Sequence, residues 1–160
     1  MDKVNYKIDG IDRKIIEELQ KNPSVPINVL SKKVELSSTP CWNRIKKLEE
    51  NKIITKKYIL DHKKINYPIT VFLSVSIQNH TEEWLQNFEK IVNKYEQIIE
   101  VHRLTGSNSD YQFTILSPSI DEYDKFQQLL IKEIKCTNMS SHISLQRIKK
   151  SYKYPLDLLK

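Results

Sequence analysis

The chain has 160 residues with 26 Lys/Arg against 20 Asp/Glu, a net charge of +6, which suffices for one domain or two small ones with modest cores. It has no apolar run long enough to span a bilayer, no signal peptide at MDKVNYKID, and two distant cysteines without metal or redox spacing, so a cytoplasmic protein with reduced thiols and no membrane partner is expected. Scattered histidines, only two glycines and no nucleophile–base pair argue against a metal site, a phosphate loop, a cofactor or an enzyme. The charge is uneven: Met1–Lys64 carries 15 Lys/Arg against 9 Asp/Glu, whereas Ile65–Lys160 carries 11 of each. A basic excess confined to one end is the footprint of a module that meets a polyanion.

Asp9 is placed to cap a first helix, with Asp12 in its first turn and Ile11, Ile15, Ile16 and Leu19 on its apolar face, ending near Asn22–Pro23. A second helix starts at about Pro26 and carries Ile27, Leu30 and Val34 inward. After the tight connection Glu35-Leu36-Ser37 comes the stretch LSSTPCWNRIKKLE. Ser37, Ser38 and Thr39 suit a helix start, Pro40 is tolerated only in a first turn, and Cys41, Ile45 and Leu48 form one apolar stripe. The opposite face carries Trp42, Asn43, Arg44, Lys46 and Lys47. Three short helices with such a third member read as a helix-turn-helix, whose hydroxyls and amides reach base edges of double-stranded DNA while cations reach phosphates. Ser38, Thr39, Trp42, Asn43 and Lys46 are expected to make the base contacts, Arg44 and Lys47 fit phosphate contacts or intramolecular pairs, and Trp42 fits either a groove contact or packing on the first helix. Asn51 is the expected left-handed residue ending the helix. Ile53–Leu60 reads as a short β-hairpin wing, with Lys56 and Lys57 at its tip either touching phosphates or keeping the turn soluble.

These residues resemble the DNA-binding end of the Lrp/AsnC (feast/famine) transcription regulators: IDRKIIEELQKN, LSKKVELS, and above all Leu36-Ser37, Thr39-Pro40-Cys41, Arg44 and Leu48-Glu49. Where that family usually has Gly, this chain has Lys52. The resemblance implies a sequence-specific transcriptional regulator. An architectural protein that coats DNA with little sequence preference and no effector is the alternative.

The polar stretch Asp61–Pro68 breaks periodicity, so the expected organisation is a DNA-binding domain over 1–60, a linker over 61–69 and a second domain over 70–160. Thr70–Gln78 alternates as a strand, with Val71, Leu73, Val75 and Ile77 on one side. Thr81 caps a helix bearing Trp84, Leu85, Phe88, Ile91, Val92 and Tyr95, and Ile98–Leu104 and Tyr111–Leu116 form a hairpin about Gly106–Ser109. Asp121–Ile134 is a second helix with Tyr123, Phe126, Leu130 and Ile134 inward, and Ser140–Lys150 is a weak fourth strand. The order β-α-β-β-α-β makes the fold class α+β, an N-terminal winged helix-turn-helix joined to a C-terminal ferredoxin-like sandwich. Phe72, Leu104, Leu116 and Ile148 are expected on or near the uncovered sheet face, which implies a two-fold dimer, with tetramers or octamers of dimers left open.

This half resembles the family's regulatory domain, on Thr105-Gly106 followed by Asp110-Tyr111 and on the final strand with its Pro-Leu tail. The resemblance implies a small amino-acid effector held at Gly106, Ser107 and Asp110, with Ser141 as the hydroxyl on the last strand. The residues alone read equally as hairpin-turn chemistry. The loop Gly106-Ser107-Asn108-Ser109-Asp110 is one residue longer than in most relatives and lacks their acid after the glycine.

Overall fold

The computed structural model describes residues 6–78, 80–106 and 108–157. Its elements run α1 (Gly10–Lys21), α2 (Ile27–Lys33), α3 (Ser38–Glu50), β1 (Ile69–Ser76), α4 (Glu82–Lys94), β2 (Ile98–Arg103), β3 (Tyr111–Ser117), α5 (Ile120–Glu133) and β4 (Asn138–Ile143). They form two compact units. The first gathers the described residues up to Tyr58 together with those from Lys149 onward, and the second spans Ile59–Ile148.

In the first unit, Asp9 and Asp12 make a reciprocal capping box at the start of α1, each carboxylate accepting from a backbone N–H the helix would leave unpaired. Ile15, Ile16, Leu30, Val34, Cys41 and Leu48 from the three helices share one core. Glu18 binds both Lys21, at 2.6 Å, and Lys33 on α2, at 2.5 Å, and the two ammonium groups hold its carboxyl down to about 2.

Helices α2 and α3 end alike. Leu36 N–H reaches Ser31 O (2.9 Å) while Glu35 N–H reaches Lys32 O (3.3 Å), and Ile53 N–H reaches Leu48 O while Lys52 N–H reaches Glu49 O, both at 2.9 Å. These are Schellman closures, which force the residue after the cap into the left-handed region. Glu35 (φ 59°) and Lys52 (φ 55°) occupy it. Asn51, expected there, has φ −83° and instead donates its side-chain amide to Lys47 O at 2.8 Å. The hydrogen-bond register of the closure, not the tolerance of Asn for positive φ, selects the position.

The expected wing does not form: residues 53–60 pair with no partner strand. Ile53 and Ile54 pack against the three-helix core instead, and no Gly or Asn-Gly turn is present to reverse the chain. Lys56 and Lys57 are exposed on this extended segment rather than at a hairpin tip.

The second unit is a four-stranded antiparallel sheet in the order β2-β3-β1-β4. Val71, Leu73 and Val75 of β1 and Tyr111, Phe113 and Ile115 of β3 point to one face, where they meet Phe88 and Ile91 of α4 and Tyr123, Phe126 and Leu130 of α5. Thr81 and Ser119 cap the two helices, accepting from Trp84 and Glu122 N–H. The architecture is a winged-helix-type N-terminal domain and a ferredoxin-like second domain, although the wing itself is unladdered.

Three expectations need correction. Strand β4 stops at Ile143 rather than continuing to Lys150. Leu104 lies one residue past the end of β2, beside the open face, still bonded to Asp110 O, whereas Ile148 lies in the exposed segment after β4 and off that face. By register that face carries Phe72 and Leu116 among Ser74, Gln112, Thr114, Ser140 and His142, and is mostly polar. The described tail from Lys149 packs with the first unit rather than with the second: Leu156 joins the core of the helices, and Gln20 of α1 pairs with the backbone of Tyr154.

Because an L-residue in the left-handed region is strained by roughly 1 kcal/mol and Gly is not, Lys52→Gly should raise stability by about 0.5 kcal/mol after its greater backbone entropy is subtracted. A lower melting temperature by circular dichroism would contradict this account of the turn.

Candidate nucleic-acid interface

Helix α3 has a buried and an exposed side. Cys41 and Leu48 are fully buried and Ile45 half-buried against α1 and α2, and burial pushes the Cys41 thiol up. Ser37, Ser38, Thr39, Pro40, Trp42, Asn43, Lys46 and Lys47 are all exposed. Ser37 occupies the cap position, yet its side chain makes no cap hydrogen bond. The Ser38 hydroxyl lies 3.5 Å from that of buried Ser31, which itself donates to Asn28 O. The start of α3 thus presents hydroxyls and helix N–H groups, a surface suited to base edges and phosphates.

Trp42 is 53% exposed, so it does not pack into the first helix as one reading of the sequence allowed. The Lys46 ammonium sits 5.3 Å from the centre of its ring and 3.8 Å from Glu50. Positions 42, 46 and 50 therefore form one stripe in which an aromatic face and a carboxylate steady the same cation.

Arg44 has a different role from its neighbours. Its guanidinium donates to Asp9 Oδ2 at 2.6 Å and to Asp12 Oδ1 at 2.8 Å. Asp12 is 1% exposed, and its other oxygen accepts from the Tyr6 hydroxyl (3.0 Å) and the Asp9 N–H (3.2 Å). Of the two roles open to Arg44, a phosphate contact or an intramolecular pair, the structure forms the pair: two carboxylates of α1 already hold the cation, and releasing it would strand a buried charge. The Asp12 N–H and the Arg44 guanidinium keep the Asp9 carboxyl below its usual range. Burial and the Asp12 carboxylate push the Tyr6 phenol up, and Asp12, then Asp9, raise the Arg44 guanidinium further. Sequence reasoning identified Asp9 and Asp12 as helix-start residues but missed that they also orient α3, since an ion pair between helices leaves no local spacing signal.

The residues expected to hold an effector are divided. Gly106 has φ 77°, which suits the turn, and Leu104 N–H closes the hairpin on Asp110 O at 2.8 Å. Ser107 lies outside the described residues. Asp110 Oδ2 accepts from Ile77 N–H at 2.8 Å, while Oδ1 lies 3.6 Å from His80 Nε2. Ser141 faces the helices instead: its hydroxyl lies 2.5 Å from that of Tyr123 and accepts from Gln127 at 2.9 Å. It pairs with Leu73 on the far side of β1 from β3, which by strand spacing puts it on the order of 14 Å from Asp110. Within one chain, Ser141 is therefore not part of a site with Gly106 and Asp110. Among the described residues no group of three or more His, Cys, Asp and Glu is placed to hold a metal, and no helix is long and apolar enough to cross a membrane.

Comparison with known proteins also finds two domains, with the second family match running past Lys149 into the tail that packs with the helices. Residues 8–55 match a model of winged helix-turn-helix DNA-binding domains, and residues 70–154 match the Lrp/AsnC ligand binding domain. The glutamate uptake regulatory protein of Zymomonas mobilis is 37% identical over 151 residues, covering 94% of this chain and 92% of that protein. The DNA-binding transcriptional activator DecR of Escherichia coli is 29% identical over 94% of this chain and 99% of its own length. Among solved structures, an AsnC family transcriptional regulator from Agrobacterium tumefaciens superposes with a TM-score of 0.85 at 37% identity, covering 93% of this chain and 97% of that one. A Neisseria meningitidis transcriptional regulator in complex with L-Met gives 0.86 at 27% identity, covering 94% and 98%.

Arg44→Ala should destabilise the protein by about 3 kcal/mol, because it leaves Asp12 buried without its cation. Adding Asp12→Asn should recover part of that loss; a double variant no better than the single one would contradict the pairing. Asp9 and Glu18 have depressed folded-state pKa values, so the stability they contribute is complete above their unfolded pKa near 4 and is lost as pH falls toward about 2. The melting temperature should fall across that window, and Glu18→Gln should flatten part of the slope.

Proposed function

The chain belongs to the Lrp/AsnC family of transcriptional regulators, and on that premise we propose which residues read DNA and which meet an effector. The protein is a DNA-binding transcriptional regulator with a ligand-binding domain. In our reading Ser37, Ser38, Thr39, Pro40, Trp42 and Asn43 approach base edges in the major groove, and Lys46 and Lys47 approach phosphates. Arg44 acts only by holding α3 against α1. The observation that carries this reading is the continuous exposed surface from Ser37 to Lys47, interrupted inward only at Cys41, Arg44 and Ile45. Lys56 and Lys57 add charge on an unladdered segment and give general, not directional, attraction to phosphate.

Two chains would act together through their ferredoxin-like domains, each DNA-binding unit taking one half-site. We further propose a small amino acid as the effector, an inference supported by the L-Met complex of the Neisseria protein. Backbone groups about Gly106 would receive its carboxylate, and its ammonium group would compete with His80 for Asp110 Oδ1. Ser141 is left out, since its hydroxyl is committed to Tyr123 and Gln127.

Lys46→Ala should weaken binding to an own-promoter fragment and reduce the slope of log affinity against log salt by about 1. An unchanged slope would remove Lys46 from the interface. If the promoter fragment competes no better than random DNA, the protein is an architectural DNA binder instead.

A further inference from the structure

Charge in this chain is divided by the fold more sharply than by the sequence. Among the described residues, the helical unit with its tail carries 15 Lys/Arg against 8 Asp/Glu, whereas the sheet unit carries 9 against 11. Three of the 15 cations, Lys149, Lys150 and Lys153, arrive with the tail. A basic segment that leaves a net-acidic unit is drawn by charge to that unit and repelled by a basic one. This tail nevertheless packs with the basic one.

It is fastened there by groups that carry no charge. Gln20 of α1 donates to Tyr154 O at 3.3 Å and accepts from Tyr154 N–H, and Leu156 packs against the core of the helices. The three lysines are exposed, and none lies within ion-pair distance of a carboxylate among the described residues. On the helices, by contrast, Lys21 and Lys33 share Glu18, and Asp9 and Asp12 hold Arg44. The Ser151 hydroxyl accepts from Lys153 N–H at 3.2 Å, which fixes a local turn. The Lys150 ammonium sits 4.9 Å from the centre of the Tyr152 ring, the pairing that Lys46 makes with Trp42 on α3. Tyr152 and Tyr154 are more than half exposed. Lysines interleaved with exposed phenols on an anchored backbone offer the charge and the hydroxyl donors that phosphate oxygens take up.

We propose that residues 149–154 are a second DNA-contacting element of the helical unit, taking the phosphate backbone beside the bases that α3 reads. The repulsion among cations gathered on one surface is relieved when a polyanion binds. The anchor sets the place. Gln20 lies two residues past Glu18, which holds Lys33 in the last turn of α2, and Ser37, the cap of α3, follows four residues after Lys33. The tail is thus fastened near the end of the unit at which α3 begins. Its contacts are to phosphate, so they add affinity without base preference. The inference rests on the DNA-binding reading above.

The test compares the full-length protein with the variant Lys149→Gln/Lys150→Gln/Lys153→Gln. A control, Lys90→Gln/Lys132→Gln/Lys135→Gln, removes the same charge from exposed positions of the sheet unit. All six side chains are exposed, so both variants should keep the wild-type melting curve. Affinity for the own-promoter fragment and for random DNA is measured across a salt series. The tail variant should lower the slope of log affinity against log salt by about 2 to 3 and weaken both DNAs by the same factor, while the control changes the slope by less than about 0.5. Ethylation of phosphates flanking the α3 contacts should interfere with binding of the wild type and not of the tail variant. An unchanged slope in the tail variant, an equal fall in the control, or the same ethylation pattern in wild type and tail variant overturns the proposal. A wild type with no preference for its promoter overturns the regulator reading while the tail variant's slope still decides this one, and a protein that binds neither DNA overturns both.

Discussion

The DNA-binding unit depends on one arrangement of charge: Arg44 on α3 held by Asp9 and Asp12 on α1. A three-helix unit this small has few buried side chains, and its hydrophobic contacts alone tolerate sliding of one helix along another. Two directional hydrogen bonds from a planar guanidinium to two carboxylates remove that tolerance. The same carboxylates cap α1, so the start of one helix and the orientation of the next are settled by a single cluster. Because Asp12 is buried, the cluster works only when complete, and the face that remains for DNA is defined by subtraction. Arg44 is withheld from solvent partners, and the hydroxyls, Asn43, Trp42 and the lysines are left.

The parts of this structure legible in the sequence were those whose cause is local. Asp9 and Asp12 announce the first helix because capping acts over three residues, and Val71, Leu73 and Val75 announce β1 because alternation is a property of the strand itself. The failures had nonlocal causes. Ile53–Leu60 has strand composition, but Ile53 and Ile54 find their burial against helices rather than across a hairpin. Within the segment, only the lack of a Gly or Asn-Gly turn argues against the hairpin. The left-handed residue after α3 was placed at Asn51 by propensity, while the Schellman hydrogen bonds put it at Lys52. For the site, exposure of Ser37 to Lys47 followed from helical periodicity, but the diversion of Arg44 needed the position of α1.

Ser141 shows the same limit in the second unit. A hydroxyl on the last strand satisfies the expectation for an effector contact by residue type, yet strand parity turns it under α5. There it meets Tyr123, whose buried phenol is pushed up by loss of solvent, and Gln127. The three polar groups satisfy each other and tie α5 to the edge strand β4. The open face of the sheet, by contrast, shows mainly hydroxyls, amides, the imidazoles of His102 and His142 and the Glu100 carboxylate beside Phe72. A partner laid on it would be oriented by hydrogen bonds as much as by apolar area.

The burial of Cys41 has a consequence for how the protein can be interrogated. A thiol is reactive as the solvent-accessible thiolate, and burial denies Cys41 both conditions. A modifying reagent reaches it only when α3 separates from α1 and α2, whereas half-buried Cys136 is accessible without that event. The native chain therefore carries its own chemical clock. The slow phase of thiol modification counts openings of the recognition helix, and its suppression by DNA would measure how firmly that helix is held in the groove.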